Sequence, residues 1–123
     1  LKPPCLLDAT TEGWGIKHNN QDLILLVNLL HLISIKETKI LIKEMFKALS
    51  SNGLSIIYGP FMRSGKLVSK NDMDFHHSLI NTDPDLGYKN DVDILNLFGE
   101  AGLVHLSTAK MPANNLAFIL QKP

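Results

Sequence analysis

The chain has a single cysteine, Cys5, among its 123 residues, so an internal disulfide is excluded. That fits a reducing compartment, with the cytoplasm as the default expectation. It has no net charge either: twelve Lys and Arg offset twelve Asp and Glu, and no run of five or six like charges occurs. Neither nucleic acid nor an acidic membrane is therefore an expected partner. Long apolar runs are also missing. The longest, Leu23 to Ile35, is too short to span a bilayer and is interrupted by Asn28, His31 and Ser34. There is no signal-peptide pattern, no repeat and no low-complexity segment. The sequence opens at Leu1 without an initiator Met, almost directly into a strand-like segment, so its beginning is expected upstream. What is present is 45% hydrophobic content, enough for one ordinary core and hence for one domain or part of one.

The organising stretch is Asp22 to Ser34. Leu23 to Val27 do not alternate with polar residues, which predicts a strand covered on both faces, as in the middle of a parallel sheet. A buried helix has the same apolar pattern, but Ser34-Ile35-Lys36-Glu37 reads as a capping box and starts a helix at about Lys36, so the preceding run is a separate element. Asn28, His31 and Ser34 collect just past the strand. Ligands of open α/β sheets sit outside the carboxyl ends of the strands, so this is where chemistry is sought.

Before this run, Cys5-Leu6-Leu7 predicts a short strand ending at Asp8-Ala9-Thr10, and Thr11 to Gln21 a loop. After the capping box, Ile40, Leu41, Met45, Ala48 and Leu49 recur at helical spacing, with Lys39, Lys43, Glu44 and Lys47 largely on the polar side. Ser51-Asn52-Gly53 is expected to stop this helix, Leu54 to Tyr58 to form the next parallel strand, and Gly59-Pro60 to end it. Phe61 to Leu67 reads as a loop. Ser69 to Asp72 caps a short cover helix carrying Met73, His76, Leu79 and Ile80; Asn81 to Asn90 is irregular. Asp91 is expected to cap a helix stopped by Gly102. Leu103 to Ala109 and Leu116 to Leu120 close the chain as an antiparallel hairpin. Alternating β and α elements with a terminal antiparallel pair predict a three-layer α/β sheet, whose central run lacks a neighbour on one side. That neighbour is expected upstream or from another chain.

Several patterns imitate sites. Gly59 to Lys66 follows a strand like a phosphate loop, but its glycines are one residue too far apart and Leu67 stands where Ser or Thr must hold magnesium. Gly13-Trp14-Gly15 lacks the third glycine of a dinucleotide fingerprint, which removes a nicotinamide-dependent oxidoreductase. Asp72, Asp74, His76 and His77 do not share one helix face, so a solvated cover helix is expected there rather than a metal site. Cys5 reads as a small buried hydrophobe rather than a nucleophile. His31, on its residues alone, reads as a helix-start or core histidine held by a backbone carbonyl. Asn114 and Asn115 read equally as turn residues, and Tyr58-Gly59-Pro60 as a strand stop.

Six words along the chain resemble the carboxyl-terminal half of the DUF938 family, which belongs with the S-adenosylmethionine-dependent methyltransferases of the seven-stranded Rossmann-like class. They are Leu7-Asp8-Ala9-Thr10, Asn28 to Ser34, Tyr58-Gly59-Pro60-Phe61, Ser69 with Asn71 and Phe75, Asp83-Pro84, and Met111-Pro112-Ala113-Asn114-Asn115. The resemblance implies a partial Rossmann-like α/β sheet, with helices on its faces, formed by residues 1–123 as the later part of a single domain. The first two strands, with the glycine-rich turn and the acid that grips the donor ribose, are not in the sequence. It further implies Asp8, Ala9 and Thr10 near the adenine end of S-adenosylmethionine, and Asn28 with His31 near its methionine end. Tyr58, Pro60, Asn71, Phe75, Asn114 and Asn115 then line the side of a small-molecule acceptor. Where the family tends to have Trp-Gly followed by Arg-Asp, this chain has Leu86-Gly87-Tyr88-Lys89-Asn90-Asp91, so a bidentate contact becomes a point charge. A sulfonium methyl is already electrophilic; the protein aligns a nucleophile, excludes water and removes a proton. His31, the only histidine at a predicted strand exit, is the candidate base. No metal is implied. The competing expectation is a catalytically silent fragment that self-associates as a homo-oligomer through exposed strand edges.

Overall fold

The structure, a computed structural model, describes residues 2–123; Leu1, where the sequence opens, lies outside the described residues. A short helix α1 (Trp14–Lys17) precedes strand β1 (Gln21–Val27), helix α2 (Ile35–Ala48) and strand β2 (Leu49–Pro60). Helices α3 (Lys70–Thr82) and α4 (Asp91–Glu100) follow, then β3 (Val104–Lys110) and β4 (Asn115–Gln121). The four strands form one sheet in the order β1-β2-β4-β3, with β1 parallel to β2 and the other pairs antiparallel. This is the expected α/β architecture with its terminal hairpin.

The sheet's two faces differ. Leu26, Ile57 and Phe118 are register partners across β1, β2 and β4. They share a core with Leu41, Ile42 and Met45 of α2 and Ile94 and Phe98 of α4. Successive strand residues point to opposite faces, so Leu23, Leu25 and Val27 face the other way. They are 57%, 62% and 50% exposed. The expected three layers are thus two among the described residues, and β1 is an edge strand rather than a covered central one. The apolar run is there, but among the described residues no strand pairs beyond it.

Local chemistry explains most boundaries. The capping box forms as expected: the Glu37 N–H donates to Ser34 Oγ at 3.1 Å and the Ser34 N–H to Glu37 Oε1 at 2.9 Å. Gly53 does not stop α2. The helix ends at Ala48 because buried Leu49 is already extended and paired with Gln21 in the sheet. Asp91 does not cap α4 either. The Ser64 N–H donates to its carboxylate at 2.9 Å, and the Gly65 N–H donates to Asn90 Oδ1 at 2.8 Å, so the preceding loop occupies both side chains. Cys5-Leu6-Leu7 forms no strand. Pro3 and Pro4 offer no N–H to a ladder, and Cys5 and Leu6 are exposed, so Cys5 is not the buried hydrophobe its neighbours suggest.

The polar face of α2 holds a further departure. Glu44 is 1% exposed, not solvated. Its Oε1 accepts from the backbone N–H groups of Gly15 at 2.9 Å and Gly13 at 3.0 Å, while Oε2 meets Lys47 Nζ at 3.3 Å. Burial pushes this carboxyl up, but the donors from Gly15, Lys47 and Gly13 outweigh it and leave it below the usual range. The Gly13-Trp14-Gly15 word thereby gains a packing reason. A Cβ on Gly15 would collide with the Glu44 carbonyl oxygen and stand 2.8 Å from Lys47 Cβ, so only glycine lets α1 lie this close to α2. Gly15→Ala is expected to cost about 2 kcal/mol or more in chemical denaturation. A carboxyl held low in the folded state stabilises above its unfolded pKa, and the gain is lost as pH falls through the folded value. Glu44→Gln should therefore lower stability at neutral pH and flatten its dependence in the acid range; an unchanged acid-unfolding curve would remove Glu44 as the anchor.

Candidate functional site

The carboxyl ends of β1 and β2 carry the candidate residues. Asn28 follows β1 with φ 55°, a left-handed conformation that asparagine tolerates, and its N–H donates to the Tyr58 carbonyl at 2.9 Å. Its carboxamide is exposed and makes no hydrogen bond among the described residues. A single 3-10 turn, Leu30–Leu32, then buries His31 to 6% exposure.

Two rings close around that imidazole. Phe75 of α3 stands 5.7 Å from it edge-on, Tyr88 stands 6.2 Å away, and Phe75 and Tyr88 are 6.1 Å apart. Tyr88 is fixed at both ends: its hydroxyl donates to Asp72 Oδ1 at 2.7 Å and its N–H to His76 Nδ1 at 3.0 Å. The flanking residues hold the turn itself. The Gly87 N–H donates to the His31 carbonyl at 3.0 Å, and Lys89 Nζ donates to the carbonyls of Ile33 at 2.6 Å and Gly87 at 3.1 Å. Gly87 has φ +114°, and a Cβ there would stand 2.8 Å from the His76 ring. His31 is thus held through its carbonyl, while its ring nitrogens make no hydrogen bond among the described residues.

Burial and then the Lys89 charge hold the His31 imidazole below its ordinary pKa. Burial likewise lowers Lys89, with Glu37 opposing, and lowers His76, helped by His77 and Lys89. Burial first, and then the Asp72 carboxylate, push the Tyr88 phenol up, so it stays protonated and donates. The arrangement presents a neutral imidazole beside an aromatic wall.

The hairpin completes one side. Asn115 Nδ2 donates to the Tyr58 hydroxyl at 3.2 Å, and Asn114 Nδ2 reaches Asp72 Oδ2 at 3.4 Å. Asn114 also has the turn geometry, with φ 62°, and its carbonyl accepts from Arg63 Nη2 at 2.7 Å. Pro60 is buried in β2 opposite Asn115. Asn28, Tyr58 and Asn115 therefore gather on one side, and His31, Phe75 and Asn114 are linked through Tyr88 and Asp72. Asn71 lies exposed on α3 without a hydrogen bond among the described residues. Asp8, Ala9 and Thr10 form a turn of their own. The Asp8 carboxylate accepts from the Thr10 N–H at 3.0 Å and hydroxyl at 2.6 Å, which holds it below the usual carboxylate range, and the Trp14 indole donates to the Ala9 carbonyl at 3.1 Å. Among the described residues, no hydrogen bond or ring contact ties this turn to the His31 group.

Sequence reasoning missed Asp72, His76, Tyr88 and Lys89. Asp72 and His76 are buried against Tyr88, which corrects the solvated-helix reading for these two; Asp74 and His77 stay exposed. Their shared spacing on α3 was the available signal, and Tyr88 was hidden in an irregular segment. In NMR titration the His31 ring is expected to titrate below 6.5. Lys89→Met should raise that midpoint, since removing the ammonium leaves burial alone to oppose protonation; an unmoved midpoint would remove Lys89's electrostatic hold. The same depression lowers folding stability as pH falls below about 6.5, because the unfolded imidazole binds its proton first.

Solved structures share this fold. Human N-acetylserotonin methyltransferase in complex with SAM matches 94% of this chain over 32% of its own, with a TM-score of 0.77 at 13% identity. An O-methyltransferase family protein from Burkholderia thailandensis matches 97% over 34%, with 0.74 at 20% identity. An O-methyltransferase family 2 protein from Planctomyces limnophilus, in complex with apigenin, matches 83% over 30%, with 0.75 at 17% identity. The chain spans about a third of the length of each. At these identities the likeness establishes the methyltransferase-like fold. Residues 1–122 match the family described as "Protein of unknown function (DUF938)", and the chain therefore belongs to the DUF938 family.

Proposed function

We propose that this chain supplies the carboxyl-terminal part of an S-adenosylmethionine-dependent methyltransferase domain, with His31 as the base that relieves the acceptor of its proton. The observation that carries this reading is the buried, neutral imidazole with unpartnered ring nitrogens at the exit of β1, beside the exposed carboxamide of Asn28. When bound, the donor supplies an electrophilic methyl group. The residues present fit its methionine end in part: Asn28 offers a free donor and acceptor, whereas the Asp8–Thr10 turn is satisfied within itself. The remaining grip on the donor is assigned to upstream strands pairing along the open edge of β1.

In this reading Phe75 and Tyr88 exclude water on one side of the imidazole, and Tyr58, Pro60, Asn114 and Asn115 border the acceptor. Asn71 reaches it only from the exposed surface of α3. His31 accepts the proton at a ring nitrogen. The acceptor is a small molecule with an ionisable O–H, N–H or S–H group. The cellular setting proposed is cytoplasmic; among the described residues no helix is long and apolar enough to cross a membrane.

A second reading, a silent module that self-associates through β1, is favoured by the exposure of Leu23, Leu25 and Val27. Calorimetric titration with S-adenosylhomocysteine, alongside molar mass in solution, separates the two. Saturable binding supports the methyltransferase reading and justifies an acceptor screen. Absence of binding in a dimeric or larger species supports the silent module. In a form that turns over, His31→Ala should lower kcat by about tenfold or more while donor affinity changes little. Loss should also appear in wild type as pH falls through the depressed His31 pKa; an unchanged rate would remove His31 as base.

A further inference from the structure

The helix-covered side of the molecule carries a feature that the His31 group does not use. Between α2 and α4 lies an open groove of about 480 Å³, floored by Ile42, Phe46, Leu97 and Ala101. One wall is formed by Lys39, Lys43 and Lys47 of α2, and Glu100 of α4 stands on the other. With Lys36, these lysines are spaced three, four and four residues apart, which sets them in one row along the helix. Only Lys47 is ion-paired among the described residues, to Glu44. The Phe46 ring is itself held in place: Lys122 Nζ, which donates to the Leu49 carbonyl at 3.0 Å, lies 4.6 Å from its centre. Lysine stems often roof apolar surface of their own helix; here Ile42 is buried, while Phe46, Leu97 and Ala101 stay half-buried beside them.

We propose that this groove docks an acidic amphipathic helix from a partner protein, which seats apolar side chains on Phe46 and Leu97 and sets carboxylates along the Lys39 to Lys47 row. Charge complementarity selects that occupant. The lysines that line the groove, Lys39 to Lys47, run for roughly 12 Å at the helical rise, the length of about two turns of a docked helix. Carboxylates at spacings of three and four on its flank therefore meet one lysine per turn. Glu100 fixes the orientation, because the flank facing α4 must be neutral or basic. The concave apolar floor suits a ridge of side chains better than a flat lipid surface or a phosphate backbone, either of which would leave Phe46 and Leu97 uncovered.

The proposal goes beyond methyl transfer and does not rest on it. Its probe is a synthetic peptide of roughly 18 residues, five helical turns, with leucines on one face and glutamates along one flank. Controls are the same composition scrambled so that the two no longer segregate, and vesicles of phosphatidylserine with phosphatidylcholine. Polarisation of a labelled peptide should show saturable binding that weakens with salt, and the amide shifts of Lys39, Lys43, Phe46 and Leu97 should move. The double charge reversal Lys39→Glu with Lys43→Glu should weaken binding about tenfold or more with the thermal midpoint unchanged. Equal binding of the scrambled peptide, shifts confined to other surfaces, binding of vesicles alone, or no binding would each overturn it.

Discussion

The arrangement at the carboxyl end of the sheet depends on how the chain leaves β1. Asn28 bends it in a left-handed conformation, its N–H still bonded to β2, and the reciprocal Ser34–Glu37 cap begins α2 six residues later. Between these fixed points the chain has room for one tight turn, and that turn carries His31. Parallel pairing of β1 with β2 requires a crossover, and α2 supplies it from this start. Moving the cap by one residue would rotate the crossover's apolar stripe off the sheet. The position of the imidazole is therefore a consequence of backbone accounting before it is a matter of side-chain chemistry.

A second level of organisation comes from buried polar groups that cannot be left unsatisfied. Lys89 is drawn under the turn by two carbonyls, and Asp72 and His76 each take one donor from Tyr88. These bonds tie an irregular segment to α3 and to the His31 turn. The Lys89 ammonium is hydrogen-bonded inward to backbone. This compact cation sits between two carbonyls, those of Ile33 and Gly87.

Local signals were the legible ones. The capping box, the helical spacing of Leu41 and Met45, the Ser69 cap and the hairpin around Pro112 each depend on a few adjacent residues, and each is found where the sequence places it. What escaped was set by partners distant in sequence. Glu44 looks solvated until α1 brings two backbone donors to it, and Leu49 looks helical until Gln21 pairs with it. Leu23 to Val27 read correctly as a strand, but apolarity reports what a surface requires, not what the described residues place there. Tyr88 lay in a segment without periodicity, so nothing in the local pattern marked it as the hub between α3 and the turn.

The open edge of β1 also has a kinetic meaning. Leu23-Ile24-Leu25-Leu26-Val27 is five strongly apolar residues, two of them β-branched, without charge or proline, a pattern prone to pair with other chains when left uncovered. Asp22 stands at its entrance, bonded to the Ser50 hydroxyl at 2.8 Å, and acts as the only charged gatekeeper beside it. During synthesis this run leaves the ribosome before α2 and β2 exist to pair with it. Whatever shields it in that interval, a preceding stretch of polypeptide or a holdase, governs how much of the protein escapes aggregation, independently of how stable the finished fold is.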